Sequence, residues 1–302
     1  MKGARRAALV VAAAIATGAT WVAAETYVIP VVVSGVPGVA GSFWDSEVRI
    51  TKLFYQGAVH VRRAWVALRD GSVVDDPASA PSWVLAEDGM RMLVVTGSDL
   101  LARTGATQGA VALDVEGEAD VFLHVAETRR APRLVDGDGT ACCLPGSGQA
   151  MRVLPEPLVG PSHASWATAG TGTFRINVGL VNPNSAPIEV RVRLYPFLSG
   201  NGIPPFVWYS PWAGISWTSV TLPGMRWIQV NSPYETVMCA GTLEPHCPTP
   251  GHPFERPVGP AVIEFVPSSS DPYYAYVSLV YSPTNDPEFV QVLPGGLEVP
   301  TD

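Results

Sequence analysis

Residues 172–195 read GTFRINVGLVNPNSAPIEVRVRLY. Phe174, Ile176, Val178 and Leu180 alternate with Arg175, Asn177 and Gly179. Beyond a turn, Ile188, Val190, Val192 and Leu194 alternate with Glu189, Arg191 and Arg193. A period of two marks a strand with one buried face, so the stretch predicts a hairpin with one apolar side. Residues 41–65, GSFWDSEVRITKLFYQGAVHVRRAW, carry a worn form of the same pattern.

The likeness extends along both halves of the chain. Trp44, Val48 and Ile50 fall on Phe174, Val178 and Leu180 at a shift of 130, and Val59, Val61 and Trp65 fall on Ile188, Val190 and Leu194 at 129. Ser82-Trp83 precedes Gly89-Met90-Arg91 as Ser216-Trp217 precedes Gly224-Met225-Arg226, the triplets at a shift of 135 that also carries Val95 onto Val230. Leu113-Asp114-Val115 matches Ile263-Glu264-Phe265 at 150, and Leu123 and Val125 match Val277 and Leu279 at 154. The opening strands match as Val28-Ile29-Pro30 and Val153-Leu154-Pro155. A shift that grows in steps is what loop insertions between fixed strands produce, and it points to an internal duplication.

Each half holds short alternating segments separated by Gly, Pro, Asn and Asp, and no helical period follows residue 24. The pattern predicts an all-β chain of two tandem antiparallel β-sandwiches of immunoglobulin-like type. The expected division is a signal peptide at 1–24, a first module at 25–130, a linker at 131–150 and a second module at 151–302. The linker holds Pro132, Asp136-Gly137-Asp138-Gly139 and Pro145-Gly146. The copies are unequal: Arg63 takes the inward slot of Val192, which a β-bulge would rescue, and Ser46 replaces Ile176.

The run Arg-Ile-Asn-Val-Gly-Leu-Val-Asn-Pro at 175–183 resembles a motif of uncharacterised exported bacterial proteins built from paired immunoglobulin-like sandwich modules. The resemblance implies fold and export across most of the chain. It reports strand and turn geometry and transfers no catalytic residue. The first half departs from it, with Lys52 where Asn182 stands.

The N-terminus adds a compartment. Lys2, Arg5 and Arg6 precede an apolar run from Ala7 to Ala19, and Val22-Ala23-Ala24 offers a signal-peptidase site, so the mature chain is expected to begin at Glu25. The run is short for a bilayer span, no Cys stands at the cleavage point, and no second stretch of spanning length follows. The expected location is therefore periplasmic, extracellular or cell-surface. Loss of the three basic residues takes the formal charge from −8 to −11, which leaves no electrostatic footprint for nucleic acid or anionic lipid. With 47% hydrophobic residues and 15% charged, the chain has ample material for a core.

Candidate chemistry is sparse. In an exported chain, Cys239 and Cys247, flanking CAGTLEPHC, are expected to form a disulfide; Cys142 and Cys143 are adjacent and their pairing stays open. A metal site from Cys239, His246, Cys247 and His252 matches no zinc spacing and would need reduced thiols outside the cell. Asp136 and Asp138 open like a calcium loop but lack its later ligands, and Glu116, Glu118 and Asp120 read as a solvated hairpin tip. No HExxH, GxSxG or phosphate-binding glycine loop is present, and Ser162-His163 is a lone pair. No catalytic residue, cofactor or metal is therefore expected.

One feature rises above this background. Between Phe197 and Trp227 the second half carries Phe206, Trp208, Tyr209, Trp212 and Trp217, while Leu68–Ser82 in the first half has no aromatic residue. Flat amphipathic rings suit sugar or protein contacts, or the covering of a domain junction. The sequence therefore predicts a non-enzymatic exported protein acting in binding, adhesion or surface assembly, with an unknown protein or glycan partner or with itself. Three alternatives stand beside it: a carbohydrate-binding module using Trp208, Tyr209, Trp212 and Trp217, a structural subunit assembling by strand addition through Tyr27–Val33, and a secreted hydrolase without a recognisable motif.

Overall fold

A computed structural model describes residues 24–37, 42–53, 57–87, 89, 91–129, 148–166, 174–196, 216–231, 261–281 and 286–296. In chain order the first half forms β1 (Glu25–Val33), β2 (Val36–Pro37), β3 (Ser42–Lys52), β4 (Val59–Ala67), β5 (Ser72–Val74), β6 (Ser82–Leu85) and β7 (Met92–Thr96). A single helical turn, α1 (Gly97–Leu100), leads to β8 (Gln108–Glu116), β9 (Ala119–Arg129) and β10 (Gly148–Val153). The second half forms β11 (Ser162–Trp166), β12 (Phe174–Asn182), β13 (Ile188–Pro196), β14 (Ser216–Leu222) and β15 (Arg226–Asn231). It ends with β16 (Ala261–Pro267), β17 (Tyr274–Tyr281), β18 (Asp286–Val290) and β19 (Leu293–Pro294). The all-β expectation holds, and the sheets are antiparallel.

Four sheets result. In the first half, β1-β8-β4 runs on to both β5 and β6, and β10-β9-β3 runs on to β2 and β7. In the second half the orders are β14-β13-β16-β11-β19 and β15-β12-β17-β18. Strand for strand, β6-β4-β8-β1 answers to β14-β13-β16-β11, and β7-β3-β9-β10 answers to β15-β12-β17-β18. Registers answer too: Val48 lies opposite Leu123 and Val95, and Val178 lies opposite Val277 and Val230. Lettered A to G, β1, β3, β4, β6, β7, β8 and β9 keep the B–E and C–F pairs of the immunoglobulin order. The terminal strands differ from that order, with β1 beside β8 and β9 beside β3.

The structure revises several local readings. Residues 172–195 are not a hairpin, because β12 and β13 lie in different sheets and their apolar faces meet across the core. Alternation reports which face is buried; it does not say whether the next strand lies beside or opposite. The Glu116–Asp120 stretch likewise links two sheets, β8 to β9. Strand β4 corresponds to β13 at 131 rather than 129, since Arg62 faces Asp114 as Arg193 faces Glu264, each as an ion pair. A bulge between Arg63 and Trp65 then removes one residue from that shift. By pairing, the counterpart of β1 is β11, whereas Met151–Val153 complete β10 against the first half.

Arg63 stays inward despite the bulge, with 1% of its surface exposed. Its guanidinium donates to both Asp75 carboxylate oxygens, at 2.5 and 2.7 Å, and to the carbonyls of Leu100 and Ala102. Ser46, in the slot of Ile176, accepts a bond from the buried Val33 N–H at 2.9 Å. The first half thus fills two apolar slots with polar groups whose bonds are made inside.

The Asn-Pro motif is a clamp. Asn182 is fully buried, and its Nδ2 donates to the carbonyls of Ala186, Leu222 and Pro223 while Oδ1 accepts from the Asn184 N–H. Lys52, at the matching position, donates from Nζ to the carbonyls of Ala86 and Glu87. Different side chains tie the end of the corresponding strand to the segment leading into β7 or β15.

One core, between the sheets of the second half, includes Ile176, Val178, Leu180, Val190, Phe265 and Val277. The core of the first half gathers Val28, Ile29, Val48, Ile50, Val61, Val111, Leu113 and Leu123, and it also takes in Val181, Trp227 and Tyr276 from the second half. Tyr27 through Val33 are buried without alternation. A strand apolar on both faces is covered on both faces, and here the second cover comes from the other half.

Candidate functional site at the junction of the two halves

Strand parity places the site. In β12 the residues Ile176, Val178 and Leu180 enter the core of the second half, so Asn177, Gly179 and Val181 face the other way. In β17, Val277 and Leu279 enter that core while Tyr276 and Ser278 turn outward. This outer face of the sheet β15-β12-β17-β18 meets the first half. Tyr276 lies against Gly179, where a Cβ would come within 1.7 Å of its ring, so only glycine permits the contact. Its hydroxyl donates to Gln229 Oε1 at 2.5 Å. The amide of Gln149, from β10, lies 3.2 to 3.3 Å from the Ser278 hydroxyl, and the Trp227 backbone N–H donates to the Leu68 carbonyl at 3.3 Å.

Between these contacts remains an open cleft of about 130 Å³. The first half contributes Trp44, Gln108 and Gln149; the second contributes Asn177, Gln229 and Phe289. Valines 31, 33, 36 and 125 complete the lining with Tyr276 and Ser278, and none of its lining side chains is charged. A second cleft, of about 480 Å³ and mostly apolar, shares Tyr276 and Phe289 with the first and extends along Met151, Leu158, Tyr274 and Leu293. Burial pushes the Tyr276 hydroxyl well above its ordinary pKa, and burial above all raises Tyr274 to about 12. These phenols are neutral hydrogen-bonding groups at any physiological pH.

The remaining candidates separate. Ser162 is fully buried and its Oγ lies 2.7 Å from the Tyr273 hydroxyl, which also donates to the Gly160 carbonyl. His163 is on the opposite face, its Nδ1 2.9 Å from the Gly295 carbonyl. Adjacent strand residues point apart, so this serine and this histidine do not meet as nucleophile and base. His60 is exposed and His124 half-buried on their strands. Asp120 pairs with Arg152, and among the described residues no three His, Cys, Asp or Glu side chains gather as a metal site. No described helix is long and apolar enough to cross a membrane.

Trp208, Tyr209, Trp212, Cys142, Cys143, Cys239 and Cys247, with residues 1–23, lie outside the described residues. The backbone of Trp217 is in β14, opposite Arg193. Strand β1, the segment considered for addition to a neighbour, is paired with β8 and buried within its own chain. Sequence reading missed the junction cleft. Its signals were the unbroken apolar run Val28–Val33 and the aromatic outer face of Tyr274 and Tyr276, where small polar residues would be expected. No family model matches this chain, and no curated protein matches it in sequence.

Proposed function

We propose that the chain is an exported, non-enzymatic binding protein made of two duplicated β-sandwich modules, with the cleft at their junction as its binding site. The observation that carries this reading is the junction itself. Two modules that share buried residues hold a concave surface in fixed geometry, and concave surfaces with a few convergent polar groups are where ligands bind. The matching strand orders and registers support the duplication. Export is supported by the leader pattern and by the start of β1 at Glu25, which the proposed cleavage leaves whole. The separation of Ser162 from His163 weighs against a hydrolase built on that pair.

Assembly by strand addition is the weaker reading, because Tyr27–Val33 already has its partner. Screening the exported chain against immobilised glycans and sedimenting it over a range of concentrations tests the proposal. The first residue of the recovered protein is expected to be Glu25, with a retained ligand and no self-association. A monomer that retains nothing, or an unprocessed Met1 on exported material, contradicts it.

A further inference from the structure

We infer that the junction cleft takes a single ring of a neutral, hydroxyl-rich ligand: one uncharged pyranoside unit at the end or side of a glycan. This rests on the binding reading above and names the ligand class for the same site. The lining is the argument. Gln108, Gln149, Asn177 and Gln229 bring four carboxamides to one small cleft from both halves of the chain. The carboxamides of Gln108 and Asn177 each present a donor and an acceptor side by side, the complement of a hydroxyl that both gives and accepts. Trp44 and Phe289 supply aromatic surface to the same cleft, suited to the apolar face of a ring.

Charge and size narrow the class. The lining holds no acid or base, so an anionic sugar or a phosphate would lose its hydration without an ion pair in return. The volume of about 130 Å³ falls below the ~300–1,000 Å³ of sites for drug-sized ligands, so the polar cleft itself has room for one ring. Two of the amides are already oriented. Gln229 is held by the Tyr276 hydroxyl and Gln149 lies against Ser278, so part of the ordering that binding requires is complete before the ligand arrives. Gln108 and Asn177 make no side-chain hydrogen bond to another described residue, which leaves both for a ligand.

The test titrates the mature chain with methyl pyranosides of glucose, galactose, mannose, xylose and N-acetylglucosamine, and with glucuronic acid, by ligand-observed NMR and calorimetry. At least one neutral pyranoside is expected to bind at least tenfold more tightly than glucuronic acid. The double variant Gln108→Ala/Asn177→Ala should weaken that binding tenfold or more with its melting temperature unchanged. A second variant, Trp44→Ala, should weaken it as well. No binding by any neutral pyranoside overturns the inference, as does equal binding of glucuronic acid or undiminished binding by the double variant. If Trp208→Ala/Trp212→Ala abolishes binding while the cleft variants do not, the glycan-binding reading survives and the cleft assignment falls. A chain that binds a protein or an immobilised glycan but no single ring keeps the binding proposal and loses this one.

Discussion

At the residue scale, two buried polar groups show how the first half tolerates what looks like erosion. Arg63 occupies an apolar slot, yet its guanidinium is paired with Asp75 and bonded to two carbonyls. Asp75→Ala should cost ~3–5 kcal/mol in denaturant unfolding, because it strands a buried cation. Replacing both residues with apolar ones of similar volume should cost clearly less. If the single substitution costs under about 1 kcal/mol, the pair is solvated and the buried description fails. Tyr273 gives a pH signature. Burial above all raises its hydroxyl to about 12, against a tyrosine value of about 10 when unfolded. The unfolded chain therefore releases this proton first as pH rises. The contribution of Tyr273 to stability should be level below about pH 10 and shrink between about 10 and 12, and Tyr273→Phe should lessen a fall that Tyr274 and Tyr276 share. Thermal melts from pH 8 to 12 check the sign. The pattern marked Arg63 as anomalous but could not supply Asp75, because the partner lies on a segment without alternation.

At the element scale, the strands were legible and their neighbours were not. Val48, Val178, Leu123 and Val277 align in the sequence, and they occupy matching ladder positions in the fold. Period-two alternation carries that much, since it follows from side-chain geometry alone. It does not distinguish a hairpin from a strand that crosses to the facing sheet, and β12–β13 is the crossing kind. Nor does it register the bulge at Arg63, which shifts the correspondence of β4 with β13. The clamps explain why the strand exits are fixed despite different residues. Asn182→Ala should destabilise the chain by ~1–3 kcal/mol, because the buried carbonyl of Leu222 loses its donor and the part-buried carbonyl of Pro223 loses one with it. Lys52→Ala should act in the same direction through Ala86 and Glu87, less strongly where water reaches those carbonyls. Urea unfolding of both variants measures this, and a neutral Asn182→Ala would remove the clamp from the account.

At the scale of the whole molecule, the two halves are joined through a shared core, with the cleft as its product. The sequence carried the matching strand patterns of the two halves but not the joint, because Tyr276, Gly179 and Trp227 acquire their meaning only when the halves meet. The aromatic stretch with Trp208 and Trp212 singled out from the sequence lies outside the described residues, so its prediction stands on the sequence. Substituting both by Ala should leave the melting temperature nearly unchanged, and an early melt would place them in packing. The most direct test of the joint is scanning calorimetry of the wild type and of Trp227→Ala. The account predicts one cooperative transition, with calorimetric and van't Hoff enthalpies in agreement. Trp227→Ala should lower that single transition as a whole, since the residue is 2% exposed within the core of the other half. Two separate transitions, with the substitution moving only one of them, would contradict it.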